Sequence, residues 1–66
     1  MCTVSFTAQR DGYFLAMNRD EKLTRAAGRP PARRTFDARA GVCPSEPGGG
    51  TWIGLNDAGV TLALIN

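Results

Sequence analysis

The sequence predicts a mostly β segment of a larger soluble domain, and three observations predict it. Polar and β-branched or aromatic residues alternate with period two near the start, where Val4 and Phe6 share one face and Thr3, Ser5 and Thr7 the other. Tight-turn residues follow apolar runs at both ends of the chain. Apolar residues cluster in stretches 4–6, 13–17, 52–55 and 60–65, whereas residues 22–50 hold all four prolines and most of the arginine.

The elements follow in order. Residues 2–7 read as a strand. Gln9-Arg10-Asp11-Gly12 reads as a hairpin turn, because Asp-Gly supplies the positive φ that two-residue loops need. Tyr13-Phe14-Leu15-Ala16-Met17 is a continuous apolar run, as in a strand covered on both faces, and completes a first hairpin over 2–18. Residues 22–27 have room for one short helical turn, which Gly28-Arg29-Pro30-Pro31 ends. The remaining connection over 22–50 reads as loop, with a short extended piece near Val42 and flexible backbone at Pro47-Gly48-Gly49-Gly50. Thr51-Trp52-Ile53-Gly54-Leu55, the turn Asn56-Asp57-Ala58-Gly59 and the apolar residues 60–65 form a second hairpin over 51–66. Tyr13 and Trp52, lying inside strands, read as core residues.

A chain of 66 residues buries only about 60% of the surface its unfolded form exposes. One core of that size rarely supplies more than about 3–5 kcal/mol. Two hairpins with apolar faces need covering layers, so the chain is expected to be the N-terminal fragment of a single domain. The remainder of that domain or a partner chain is expected to cover the sheets.

A net charge of +2 implies no particular partner. Arg25, Arg29, Arg33, Arg34 and Arg39 are opposed only by Asp37, yet prolines interrupt them and Phe36 is the only aromatic among them, so no nucleic acid is expected. No apolar run approaches the roughly 18 residues of a membrane span, and Met1-Cys2-Thr3-Val4-Ser5-Phe6 lacks a signal-peptide pattern. Two cysteines without such a signal point to reduced thiols and a cytoplasmic location, and nothing supports a Cys2–Cys43 disulfide. The absence of histidine excludes Cys-His catalysis and histidine ligation of zinc within these residues. Without a Cys-x-x-Cys pair or a phosphate-binding glycine motif, no metal and no cofactor are expected.

The remaining chemistry lies at the start of the chain. Methionine aminopeptidases remove Met1 when a small residue follows, and the product would carry a thiol and an α-amine on Cys2. A free α-amine titrates near about 7.7–8.0, so a neutral fraction exists to accept the thiol proton. The bland alternative is a small apolar residue at a strand start. A hairpin turning near Asp11 returns Asn18, Arg19 and Asp20 beside Cys2. There the Arg19 cation favours thiolate and Asp20 can hold the α-amine. Taken alone, the charges of Asn18-Arg19-Asp20-Glu21 would read as a solvated turn.

Met1-Cys2-Thr3, Phe14-Leu15-Ala16-Met17-Asn18-Arg19-Asp20-Glu21 and Gly49-Gly50-Thr51-Trp52-Ile53-Gly54-Leu55-Asn56 together resemble the NRDE-motif family, which includes the transport and Golgi organisation protein 2 homologues. The resemblance implies an α+β class, the chain being the N-terminal part of an αββα N-terminal-nucleophile hydrolase-like domain. The turn Gly54 to Val60 and the run to Asn66 are also similar to the choloylglycine hydrolase family. Carried over, these resemblances imply Cys2 as nucleophile, Arg19 and Asp20 as its supporting charges and Asn66 as an oxyanion contributor. Adjacent Arg19 and Asp20 depart from the amidase spacing, which leaves the division of roles among Arg19, Asp20 and Glu21 open. The functions implied are a cysteine-dependent amide (C–N) hydrolase or, alternatively, a non-catalytic protein of haem or lipid handling or secretory-pathway organisation. The ligand expected is a small amide or a lipid-like molecule.

Overall fold

In the computed structural model, which describes residues 1–65, the chain folds into six strands in two antiparallel sheets. Strands β1 (Cys2–Gln9) and β2 (Gly12–Arg19) make a two-stranded sheet. Strands β3 (Arg29–Phe36), β4 (Arg39–Ser45), β5 (Ile53–Asn56) and β6 (Thr61–Ala63) make a four-stranded sheet in sequence order.

The α+β expectation is corrected: among the described residues there is no helix, and the architecture is all-β. The connections explain this. Arg10-Asp11 and Asp37-Ala38 are two-residue hairpin loops, and β5–β6 is joined by a turn over residues 57–60. The longest link, residues 20–28, holds only a turn closed by Arg25 N–H donating to the Lys22 carbonyl at 3.0 Å. The helical turn expected at 22–27 does not form.

The stretch read as loop within residues 22–50 instead carries the β3–β4 hairpin. Its turn contains no glycine; Asp37 itself takes the left-handed conformation at φ 55°, which aspartate tolerates better than most residues. Every residue of β3 is exposed, so no apolar alternation betrays it. It is an edge strand, where Pro30 and Pro31 forfeit no essential ladder bond, and the register shifts between Arg29 and Ala32, where the prolines lie.

Burial concentrates on β4, the strand paired on both sides. Gly41, Cys43, Pro44 and Ser45 are buried, with Cys43 8% exposed. The covered-on-both-faces reading of β2 is also corrected. Leu15 and Met17 are half-buried on one face, while Phe14 on the other is 68% exposed. The half-buried face of β2 looks toward Val42, Pro44, Ile53 and Leu55 of the larger sheet across an open gap of about 570 Å³.

Polar contacts near the two ends of β2 join the sheets. At one end the Tyr13 hydroxyl donates to the Gly59 carbonyl at 2.6 Å, and lies 3.2 Å from Thr61 Oγ1. Tyr13, read as core, is 38% exposed. Tyr13→Phe therefore keeps the ring and its contact with Phe6 at 5.2 Å but loses the latch. The expected cost is about 0.5–1 kcal/mol, read as a lower urea midpoint.

Candidate functional site

The first hairpin fixes what faces Cys2. A two-residue loop at Arg10-Asp11 pairs Gln9 with Gly12 and carries the register back to Cys2 opposite Arg19. Beyond that pair, Met1 and Asp20 exchange both backbone bonds: Asp20 N–H donates to Met1 O at 2.9 Å, and the Met1 ammonium donates to Asp20 O at 3.1 Å. Hydrogen-bonded and non-hydrogen-bonded pairs alternate along an antiparallel ladder. Cys2–Arg19 is therefore a non-hydrogen-bonded pair, the type whose Cα atoms approach to about 4.5 Å with both side chains on one face.

That face opens on a cleft of about 220 Å³ whose lining includes Cys2, Arg19, Glu21, Arg25, Glu46 and Trp52. Cys2 is half-buried, whereas Cys43 is buried against Gly54 in the larger sheet. Among the described residues no disulfide joins them.

The charges at the cleft form a closed set. Arg19 Nη2 donates to Glu21 Oε1 at 2.6 Å and to Glu46 Oε1 at 2.9 Å. Arg25 donates to Glu21 Oε2 at 3.2 Å and, through Nη2, to the same Glu46 oxygen. Above the Arg19 guanidinium, 4.0 Å away, lies the Trp52 ring, a cation–π contact. The hydrogen bond from Arg19 is the main reason the Glu46 carboxyl sits below its ordinary value, with the bond from Arg25 adding to it and partial desolvation opposing. Reciprocally, the bond to Glu46 is the main influence raising Arg19, again against desolvation. Both groups are charged at neutral pH.

The triple-glycine segment places two of these residues. Glu46 N–H donates to Gly50 O at 2.7 Å and Gly49 N–H to Glu46 O at 2.8 Å, while Gly49 takes φ 96°. The loop thus closes on itself, with Glu46 leaving β4 on one side of Arg19 and Trp52 entering β5 on the other. Behind Trp52, residue 28 must be glycine. A Cβ there would stand 2.7 Å from the indole Cη2. Gly28→Ala should push the ring off Arg19 and cost about 1–2 kcal/mol, visible as a shifted emission of the single tryptophan and a lower unfolding midpoint.

The sequence-derived site residues divide as follows. Cys2 and Arg19 are brought together. Asp20 is held through its backbone, and Glu21 rather than Asp20 lines the cleft. Asn66 lies outside the described residues. Sequence reasoning missed Glu46, Arg25 and the role of Trp52, because it read residues 22–50 as loop and Trp52 as core. The Gly54–Gly59 turn is built by Asn56, whose Oδ1 accepts from Ala58 N–H at 2.9 Å and Val60 N–H at 3.0 Å. That asparagine is a turn residue.

Among the described residues no group of three or more His, Cys, Asp or Glu side chains is arranged for a metal ion, and no helix is long and apolar enough to cross a membrane. Neither a curated protein nor a solved structure matches the chain. The family model described as Transport and Golgi organisation 2 matches residues 1–66, the whole sequence, including the Asn18–Glu21 corner and the Gly-Gly-Thr-Trp segment just described. The chain belongs to the Transport and Golgi organisation 2 family.

Proposed function

We propose that this family member is a cysteine-dependent amide (C–N) hydrolase whose nucleophile is Cys2 after excision of Met1. The observation that supports it is the pairing of Cys2 with Arg19 on one strand face at the edge of an open, charge-lined cleft. Excision of Met1 gives up its two bonds to Asp20 and leaves the α-amine on the residue that bears the thiol.

The reaction has an acylation half and a hydrolysis half. The α-amine takes the thiol proton as Cys2 Sγ bonds to the amide carbonyl carbon. The ammonium returns that proton to the leaving nitrogen as the C–N bond breaks, leaving a thioester. Water then attacks the same carbon as the α-amine takes its proton, and the ammonium returns that proton to the sulfur as the C–S bond breaks, which releases the acid and restores the thiol. Arg19 supplies positive charge beside the sulfur, and Glu21 and Glu46 hold its guanidinium in place. Asn66 and the backbone N–H groups near it are assigned to the developing oxyanion.

Intact mass of the untagged protein tests the first requirement. A mass lacking methionine is expected, and a mature chain that keeps Met1 contradicts the mechanism.

A further inference from the structure

The cleft beside Cys2 carries four charged side chains whose charges cancel. Each of the two arginines donates to each of the two carboxylates, so neither guanidinium is left to meet a ligand alone. Arg19, the cation paired with Cys2, is also the least exposed of the four, its side chain 17% accessible against 26% for Glu46, 32% for Glu21 and 48% for Arg25. Trp52, stacked on Arg19, and Leu64 and Ile65 add apolar side chains to the cleft lining.

An arginine beside a nucleophile ordinarily draws anionic ligands, because a guanidinium forks well onto carboxylate or phosphate. Here Glu21 and Glu46 already bond Arg19 Nη2 and offset its charge, so an anionic ligand gains less from this guanidinium than from an unpaired one. A neutral carbonyl compound meets a charge-balanced polar rim with apolar side chains beside it and need not compete with Glu21 or Glu46 for Arg19. Arg25 and Glu46 both come from outside the Asn18–Glu21 corner, and Glu46 is the carboxylate among them, delivered by the end of β4 and the closed glycine loop.

We propose that the Cys2 cleft selects uncharged acyl compounds and that Glu46 is the residue that sets this selectivity, by cancelling the charge Arg19 presents to a ligand. The inference rests on Cys2 being the reactive group of this cleft. It adds the class of substrate, an amide whose acyl arm carries no negative charge.

The test compares two alkylating reagents of the same chemistry and different charge, iodoacetamide and iodoacetate. Their rates at Cys2 are read by peptide mapping at low ionic strength, with Cys43 in the same sample as internal reference. The thiolate attacks the CH2–I carbon of both reagents and expels iodide, so their rate ratio reports local charge and not the basicity of the sulfur. In the unsubstituted protein the iodoacetate-to-iodoacetamide ratio is expected to be no higher than for a free peptide of residues 2–7. Glu46→Gln should raise the ratio about three- to fivefold, an effect that fades in about 1 M salt. Glu46→Asp should restore the original ratio, and Arg25→Gln should move it the opposite way.

An unchanged ratio in Glu46→Gln overturns the proposal. So does a ratio in the unsubstituted protein several-fold above the peptide's. Equal shifts in the same direction for Glu46→Gln and Arg25→Gln mean loosened structure in place of altered charge, and also overturn it. Because no turnover is needed, a ratio that behaves as expected beside absent hydrolysis removes the hydrolase reading alone. Hydrolysis with an unresponsive ratio removes the selectivity alone.

Discussion

Cys2→Ala is expected to lower hydrolysis of a short-chain acyl p-nitroanilide by about 10⁴-fold or more while the β1–β2 hairpin stays folded. The size of the effect follows from the proposed chemistry, in which Cys2 is the group that forms the covalent intermediate. Glu21 and Glu46 are engaged by arginines, and Arg19 and Arg25 are cations without a nucleophilic lone pair at neutral pH. Structure should survive for a separate reason. Cys2 is half-buried at the first position of β1, and β1 is held to β2 through backbone pairing from Cys2 to Gln9. Cys43→Ala gives the converse result. Cys43 is buried, and trimming it should cost about 1–2 kcal/mol of stability with turnover per folded molecule unchanged. Equal losses of turnover in the two variants would assign the effect to folding.

The second large effect concerns the corner itself. Arg19→Ala removes two ion pairs and the guanidinium beneath Trp52 in one step. The Tyr13 latch at the far end of β2 then remains as a polar tie between the hairpin and the larger sheet. Hydrogen exchange across residues 2–19 should accelerate strongly, and Trp52 emission should shift toward that of an exposed indole. Acid should produce a similar change in the unsubstituted protein. Arg19 and Arg25 hold the Glu46 carboxyl below its ordinary value in the folded chain, so the unfolded chain takes up the proton more readily. The stabilisation is complete above about 4.5, the ordinary value, and is lost as pH falls through the depressed one. Trp52 emission should therefore report a transition below pH 4.5. In Arg19→Ala that transition should be shallower, because only Arg25 still bonds Glu46.

Much of the corner is legible from spacing alone. Asp11-Gly12 signals a turn near Asp11 and so returns residues 18–20 beside Cys2, but a loop at Asp11-Gly12 itself would set Cys2 opposite Glu21. The loop forms one residue earlier, at Arg10-Asp11, with Gly12 paired to Gln9 and not at positive φ, and that shift is what sets Cys2 opposite Arg19. The Asn56-to-Gly59 turn is equally readable, because asparagine and glycine each have a local backbone reason to stand there. The β3–β4 hairpin was hidden because nothing in residues 29–45 alternates in the way a half-buried strand does. β3 is exposed throughout, and its turn uses Asp37 where glycine or asparagine would have given the signal. Losing that hairpin meant losing Glu46, which stands where β4 ends, and with it the second carboxylate on Arg19. Helices were expected from a family resemblance, and the described residues contain none. Trp52 reads from sequence as a core residue, whereas it is half-buried as a ring on Arg19; the cation and the ring lie 33 positions apart in the sequence and meet only when both sheets are in place.

The sulfur of Cys2 is expected to be reactive because Arg19 stands opposite it on β2 and lines the same cleft. Competitive alkylation with iodoacetamide near pH 7, resolved by peptide mapping, measures this in one sample. The account predicts that Cys2 is modified at least about tenfold faster than Cys43 and faster than in a peptide of residues 2–7, an advantage that Arg19→Ala removes. A Cys2 that reacts no faster than the peptide, or that keeps its full rate without Arg19, would contradict it.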